Sequence, residues 1–241
     1  MRAEIIASGT ELLLGEITDF NTPFIASQLA MLGIDLYYVS TVGDNWERFS
    51  GVLRQAWNRS DLIITTGGLG PTQGDITREV IAGLLGEKMT VDPDLKRELA
   101  DLFTRRGMEM PESNIKQATL IPSAGALRNS TGTAPGWWVE KEGRVIVALP
   151  GPPGEMQAMW RSEVLPRLEA RSGAIILSRT IKTWGLSESK VDELVSPFLS
   201  TANPTLAIYA KPDGIYLRIT AKAATRAAAG ALILERERDI R

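Results

Sequence analysis

Apolar residues first arrive in three short runs: AEIIAS (3–8), LYYVSTV (36–42) and DLIITT (61–66). Each has strand length, and the first and third are nearly continuous rather than alternating, as in strands buried on both faces. Helix-length segments separate them. Residues 22–33 carry Pro23 in a first turn and close at Gly33. Residues 44–60 place Trp46, Phe49, Leu53, Ala56 and Trp57 on one face, with Asp44 and Glu47 at capping-box spacing. A third helix follows over 76–86. Strands alternating with helices predict a parallel sheet covered on both sides.

The middle of the chain is less regular. Residues 92–107 read as a helix capped by Asp92 with Pro93 at its first position, and 111–123 contain a short helix. Residues 136–151 read as a hairpin turning at Glu142–Gly143, whose second arm, RVIVAL, is apolar enough to rejoin the central sheet. A loop and a helix over 151–168 complete the first domain, 1–170. Beyond ARSGA (170–174), a short linker, the pattern becomes strand, helix and a hairpin turning at Pro212–Asp213–Gly214. This is a small α+β module over 171–241, ending in a helix rich in strong helix formers that reads as a linker helix cut short.

Composition narrows the chemistry. The 241 residues contain no Cys and no His, which removes disulfides, thiolate zinc sites, Ser–His–Asp triads and imidazole proton shuttles. Carboxylates, hydroxyls, Lys, Arg, backbone N–H groups and bound ions remain, and an all-oxygen donor set favours hard divalent cations. A net charge of −2 without blocks of like charge gives no sign of a nucleic-acid or membrane partner. No apolar run reaches the roughly 18 residues of a membrane span. Met1 leads into the first strand within two residues, so a cytoplasmic protein is expected.

Candidate chemistry lies in loops. TTGGLGPTQGD (65–75) sits between a strand and a helix, where exposed N–H groups favour an anion. It lacks the GK[ST] of a Walker loop and is a poor dinucleotide fingerprint. Asp75 fits either a ligand for a cation or the N-cap of the following helix. Asp44 has the same two readings, and both acids stand at strand ends, the ligand edge of open α/β sheets. Gly9, Thr10 and Glu11 share that edge. Asn21, just ahead of a helix, is more often a cap than a ligand. NSTGTAPG (129–136) and LPGPPGEM (149–156) are further loops rich in Gly, Pro and hydroxyls; four such loops describe a pocket walled by backbone. WGLSES (184–189) has the outline of a KH clamp, but Glu188 stands where the clamp needs glycine, which argues against RNA binding. The six tryptophans read as packing.

SGTELLLG, FNTPFIASQL, TTGGLGPTQGD, NSTGTAPG and ALPGPPGEM, in this order, resemble the N-terminal region of the competence/damage-inducible protein A (CinA) family. WGLSESKVDELV resembles that family's small KH-like module, so nearly the whole chain is covered. The resemblance implies a molybdopterin-binding-like three-layer α/β/α fold with a mostly parallel sheet. It implies ADP-ribose pyrophosphatase activity with Mg²⁺, Mn²⁺ or Co²⁺, acting on a small nucleotide, and a homodimer. The amidohydrolase domain that many members carry further along is not expected in this stretch. Gly74 departs from the family pattern, which commonly has two adjacent acids at 74 and 75.

On that reading Thr66, Gly67, Gly68, Leu69, Gly70, Pro71 and Thr72 form the phosphate loop. Asp44 and Asp75 hold the cation, with Glu11 a third candidate, and Glu11 or Asp75 supplies the general base. Asn129, Thr131, Gly132 and Thr133 meet the sugar or terminal phosphate, while Pro150, Gly151, Pro152 and Gly154 close the wall. A molybdopterin-related nucleotidyl transfer and a non-catalytic nucleotide or pterin sensor are the rival readings.

Overall fold

The computed structural model describes residues 1–172 and 175–241; the end of the expected linker at 173–174 lies outside the described residues. The chain divides into two compact units, one of residues 1–27 and 35–168, the other of 28–34 and 169–241.

The first unit is built on a six-stranded sheet. Strand β1 (Arg2–Ser8) leads through a single turn, α1 (Thr10–Leu13), to α2 (Asn21–Leu32) and β2 (Asp35–Val42). Then come α3 (Trp46–Arg59), β3 (Leu62–Thr66) and α4 (Thr77–Leu85). A two-residue ribbon pairs β4 (Thr90–Val91) with β5 (Thr119–Leu120), enclosing α5 (Pro93–Arg105) and a 3₁₀ helix over Glu112–Ala118. Strands β6 (Ala124–Leu127), β7 (Gly136–Lys141) and β8 (Arg144–Leu149) follow. The unit ends in α6 (Pro153–Met159), a π-helical turn over Trp160–Val164 and α7 (Leu165–Ser172).

The sheet order is β2-β1-β3-β8-β7-β6. The first four strands are parallel, and β7 and β6 add antiparallel at one side. The second arm of the expected hairpin therefore does rejoin the centre, as β8 beside β3. Every residue of β3 is buried, because helices cover both faces. On α3, Phe49, Leu53 and Ala56 are buried, the two larger side chains each contributing about 1.5–3 kcal/mol of transfer free energy. Trp46 of the expected apolar face is 48% exposed, so this tryptophan is only partly packing. Asp92 caps α5 with Pro93 behind it, as the sequence predicts. Because β1 leads outward to β2 and is flanked on its other side by β3, the chain changes direction there, and open sheets bind ligands at such a point.

The second unit joins β9 (Ile175–Thr183), α8 (Glu188–Leu199), β10 (Thr205–Lys211), β11 (Gly214–Ala223) and α9 (Arg226–Ile240). Its sheet, β10-β11-β9, is antiparallel. Ile215, Leu217, Ile219 and Ala221 alternate inward along β11 to meet Val191 and Val195 of α8 and Ala229 and Ile233 of α9. The terminal helix is thus part of this core rather than the linker expected from its composition. Trp184 is 80% exposed, against the expectation of packing. Among the described residues no helix is long and apolar enough to cross a membrane.

Candidate functional site

The carboxyl ends of β1, β2, β3 and β8 open into one cavity of about 630 Å³, within the range of small-molecule sites. The glycine loop from Gly67 to Thr72, with Gly74 and Asp75, lines it, and so do Pro150, Gly151 and Pro152 beside Gly67. Gly9, Glu11, Asn21, Asp44, Thr66 and Thr133 also reach it. Thr10, Asn129, Thr131, Gly132 and Gly154 do not line it. Asn129 and Gly132, with Thr133, line a second cleft of about 440 Å³ against α5.

Neither aspartate is the helix cap that its position suggested. The side chain of Asn45, not Asp44, accepts the N–H of Arg48 at the start of α3. Asp44 instead turns back to α1, where its Oδ2 accepts the N–H of Thr10 at 3.1 Å and its hydroxyl at 3.0 Å. The N-cap of α4 is Ile76, without a side-chain bond. Asp75 folds into the glycine loop, its Oδ2 accepting the N–H and hydroxyl of Thr72 at 2.8 and 2.6 Å. Each carboxylate thus keeps Oδ1 free of hydrogen bonds among the described residues. A methyl group added at Gly74, the residue before Asp75, would stand 3.9 Å from the Asp44 carboxyl carbon.

Asn21 is the first residue of α2, not its cap; Asp19 Oδ1 accepts the N–H groups of Asn21 and Thr22. The Asn21 amide donates at 2.7 Å to Thr66 Oγ1 and to the Gly151 carbonyl, tying two walls together. Its Oδ1 is buried without a partner, as is the Oγ of Ser8, which also lines the cavity. Asn129 is fully engaged by its own loop and by Glu155. It accepts from Thr131 and Gly132 and donates to the Ala134 carbonyl and to Glu155.

Several glycines make room for carboxylates. A methyl group would stand 2.6 Å from Glu11 Oε1 at Gly9, 2.5 Å from Asp75 Oδ2 at Gly70, and would collide with the Glu155 carboxylate at Gly132. Five acids, Glu11, Asp19, Asp44, Asp75 and Glu155, line the cavity, and no Lys or Arg does. Two cations stand behind the wall instead. Lys116 donates to the carbonyls of Thr72 and Asp75 and pairs with Glu79 at 2.9 Å. Arg78 is fully buried beneath the loop. Burial pushes its guanidinium down to about 10, against the pull of Glu79 and Asp75, so it stays charged at neutral pH.

Sequence reasoning passed over Ser8, Asp19, Gln117, Glu155, Lys116 and Arg78. Glu155 was within reach inside the LPGPPGEM motif. Arg78 signals itself by sharing a helix face with Ile81 and Leu85, where an unpaired charge is out of place.

Among the described residues no three Asp or Glu side chains gather closely enough to hold a metal ion. Two free carboxylate oxygens in an all-oxygen setting do fit a hard divalent cation completed by water and substrate oxygens.

Comparison with known proteins agrees with this architecture. Residues 4–170 match the probable molybdopterin binding domain family, and residues 178–241 match the KH domain of damage-inducible protein CinA. A CinA-like protein of Thermomicrobium roseum is 48% identical over 242 residues, covering 100% of this chain and 60% of the relative. One from Deinococcus deserti is 51% identical, covering 94% and 56%. The chain therefore spans somewhat more than half the length of the curated relatives it matches. A crystal structure of the protein CinA, of unknown function, from Thermoplasma acidophilum superposes with a TM-score of 0.65 at 29% identity, covering 70% of this chain and 99% of that one. The chain belongs to the CinA-like family, as a molybdopterin-binding-type α/β domain followed by a CinA KH domain.

Proposed function

We propose that the chain is a divalent-cation-dependent hydrolase of a diphosphate anhydride, cleaving ADP-ribose with water to AMP and ribose 5-phosphate. The observation that carries this reading is the meeting of a glycine loop with two carboxylates, Asp44 and Asp75, each with one oxygen free, in a cavity whose charged lining residues, among those described, are all acids. Five carboxylates repel a bare diphosphate, so the substrate class that fits is a diphosphate carrying its divalent counterion. Held by Asp44 and Asp75, that cation would supply charge neutralisation at the diphosphate.

The glycine loop receives phosphate oxygens through its N–H groups. Thr10 fixes Asp44, and Thr72 fixes Asp75, in the orientation that leaves Oδ1 open. Glu11 lies against Gly9 with no hydrogen bond to its carboxylate among the described residues, and it takes the proton of the attacking water. Asn21 and Thr133 face the ribose end. Incubating the purified chain with ADP-ribose and Mg²⁺, Mn²⁺ or Co²⁺ tests this: AMP should accumulate, and a chelator should stop it. Full turnover in chelator would remove the cation from the mechanism.

A second reading, a nucleotide or pterin sensor without turnover, is favoured by the lack of a three-carboxylate cluster among the described residues. Tight ADP-ribose binding with no AMP under any of these ions would establish it instead.

A further inference from the structure

The glycine loop takes its shape from the first turn of α4. Thr77 Oγ1 donates to the Gly67 carbonyl at 2.8 Å, and the Thr77 N–H donates to the Gly68 carbonyl at 3.2 Å. Arg78 Nη1 donates to the Leu69 carbonyl at 2.8 Å. A trans peptide is planar, so each carbonyl points opposite to the N–H of the next residue. Three successive carbonyls held from the α4 side therefore turn the N–H groups of Gly68, Leu69 and Gly70 away from α4. No hydrogen bond among the described residues takes any of the three. Gly67 and Gly68, at φ 99° and 65°, supply the left-handed backbone that this succession requires. Consecutive N–H groups turned to one side make an anion-binding concavity.

An independent observation points to a ligand at the same place. Ser8 is 5% exposed and its Oγ has no partner. That hydroxyl lies 3.5 Å from where a methyl group on Gly68 would stand, in the wall of the cavity. A buried hydroxyl costs free energy when left unpaired, and an oxyanion beside Gly68 would accept its proton.

Arg78 extends the arrangement. Its Nη2 donates at 2.7 Å to the Pro135 carbonyl, in the loop that follows Asn129. One fully buried guanidinium thus fixes two loops that line the cavity. The rigid fork of Arg spans both acceptors; a Lys ammonium in its place reaches only one.

We propose that Thr77 and Arg78 are the positioning residues of the anion site: holding three carbonyls from behind, they aim the N–H groups of Gly68, Leu69 and Gly70 at an oxygen of a diphosphate. This rests on reading the cavity as a diphosphate site, and it adds the residues that build that site without touching the substrate.

The test uses the full chain and inorganic pyrophosphate, titrated by calorimetry with Mg²⁺ present. Thr77→Val keeps the shape and loses the side-chain donor; it should weaken pyrophosphate binding by about tenfold. Thr77→Ser should restore binding to within about twofold. Arg78→Lys keeps the charge, loses one of the two carbonyls, and should weaken binding by a similar factor even if Thr77→Val does not fold. In each folded variant the KM for ADP-ribose should rise by the same factor as the pyrophosphate Kd. Unchanged affinity in folded Thr77→Val or Arg78→Lys overturns the proposal. So does a loss that follows only the fraction unfolded, or a wild-type chain that does not bind pyrophosphate. Pyrophosphate binding that depends on Thr77 and Arg78, without AMP formation from ADP-ribose, supports the anion site and overturns only the hydrolase reading.

Discussion

In the first unit, Glu11, Asp19, Asp44, Asp75 and Glu155 line one cavity, and none of them has an ion-pair partner among the described residues. In the second unit, Asp213 is held by Lys182 at 2.8 Å and by the hydroxyl of Tyr216 at 2.6 Å. Glu237 there meets Arg179 and Arg241, each at 2.9 Å. Paired acids fix a strand or helix in place and need nothing further. Asp44 and Asp75, unpaired and steadied by Thr hydroxyls and backbone N–H groups, each keep an oxygen open for something else. The contrast separates carboxylates that hold the fold from those that serve a ligand, and it can be broken by experiment.

The largest effect is expected at Asp75. Asp75→Asn keeps shape and can still accept from Thr72, so the melting temperature should hardly move. Turnover of ADP-ribose should fall by at least about a hundredfold, while ADP-ribose still binds to the loop. Asp44→Asn should behave alike. Normal turnover in Asp75→Asn would show that its contacts with Thr72 are its whole purpose, and the catalytic reading of the loop should then be dropped. Glu237→Gln is the mirror experiment. It leaves turnover alone and costs the second unit about 1–3 kcal/mol, because a largely buried acid loses its charge between two arginines. Thermal unfolding of the full chain, followed by a probe in α9, decides it.

How far these roles were legible depended on the scale of the signal. The parallel strands and their loops stood out because apolar runs end in glycine at the sheet edge, and Asp44 and Asp75 were visible as acids at those ends. Their partners were not. A helix cap is settled by competition between adjacent residues, and Asn45 at the start of α3 leaves Asp44 free to turn toward Thr10. Asn129 was visible as a polar loop residue, yet its amide is consumed by its own turn and by Glu155. The four residues of α1 and the two-residue strands β4 and β5 are shorter than any periodic window. The carbonyl-holding role of Thr77 and Arg78 depends on backbone orientation, which no spacing of residues encodes.

A smaller effect is expected from adding an acid. Gly74 is exposed and its φ lies outside the left-handed region, so the backbone accepts a side chain there. A methyl group at 74 meets nothing closer than 3.8 Å, and Asp44 is among its neighbours. Gly74→Asp therefore adds a third carboxylate to Asp44 and Asp75. For a divalent ion about 4 Å away in a solvent-like dielectric this is worth about 2 kcal/mol, or roughly thirtyfold in apparent cation affinity. Titrating Mn²⁺ against turnover measures it. Weaker cation dependence in the variant would place the ion elsewhere than between Asp44 and Asp75.

The smallest effect belongs to the paired side of the comparison. Hydrogen bonds from Lys182 and then Tyr216 hold the Asp213 carboxyl at about 2, below its ordinary 3.8. A depressed folded value means that the bonds stabilise the hairpin fully above about pH 4, and that this contribution fades as pH falls toward 2. The pair is exposed, so salt screens it and the gain at neutral pH is slight. Asp213→Asn should leave neutral-pH melting nearly unchanged and remove the part of the acid transition that the carboxylate causes. Following the Asp213 carboxyl carbon by NMR from pH 5 to 1.5 should show a midpoint near 2 at low salt, moving upward in 1 M NaCl. A midpoint near 3.8 at low salt would mean that Lys182 and Tyr216 do not hold this acid in solution. Asp213 would then be unpaired like the acids of the cavity, and the contrast between it and them would fall.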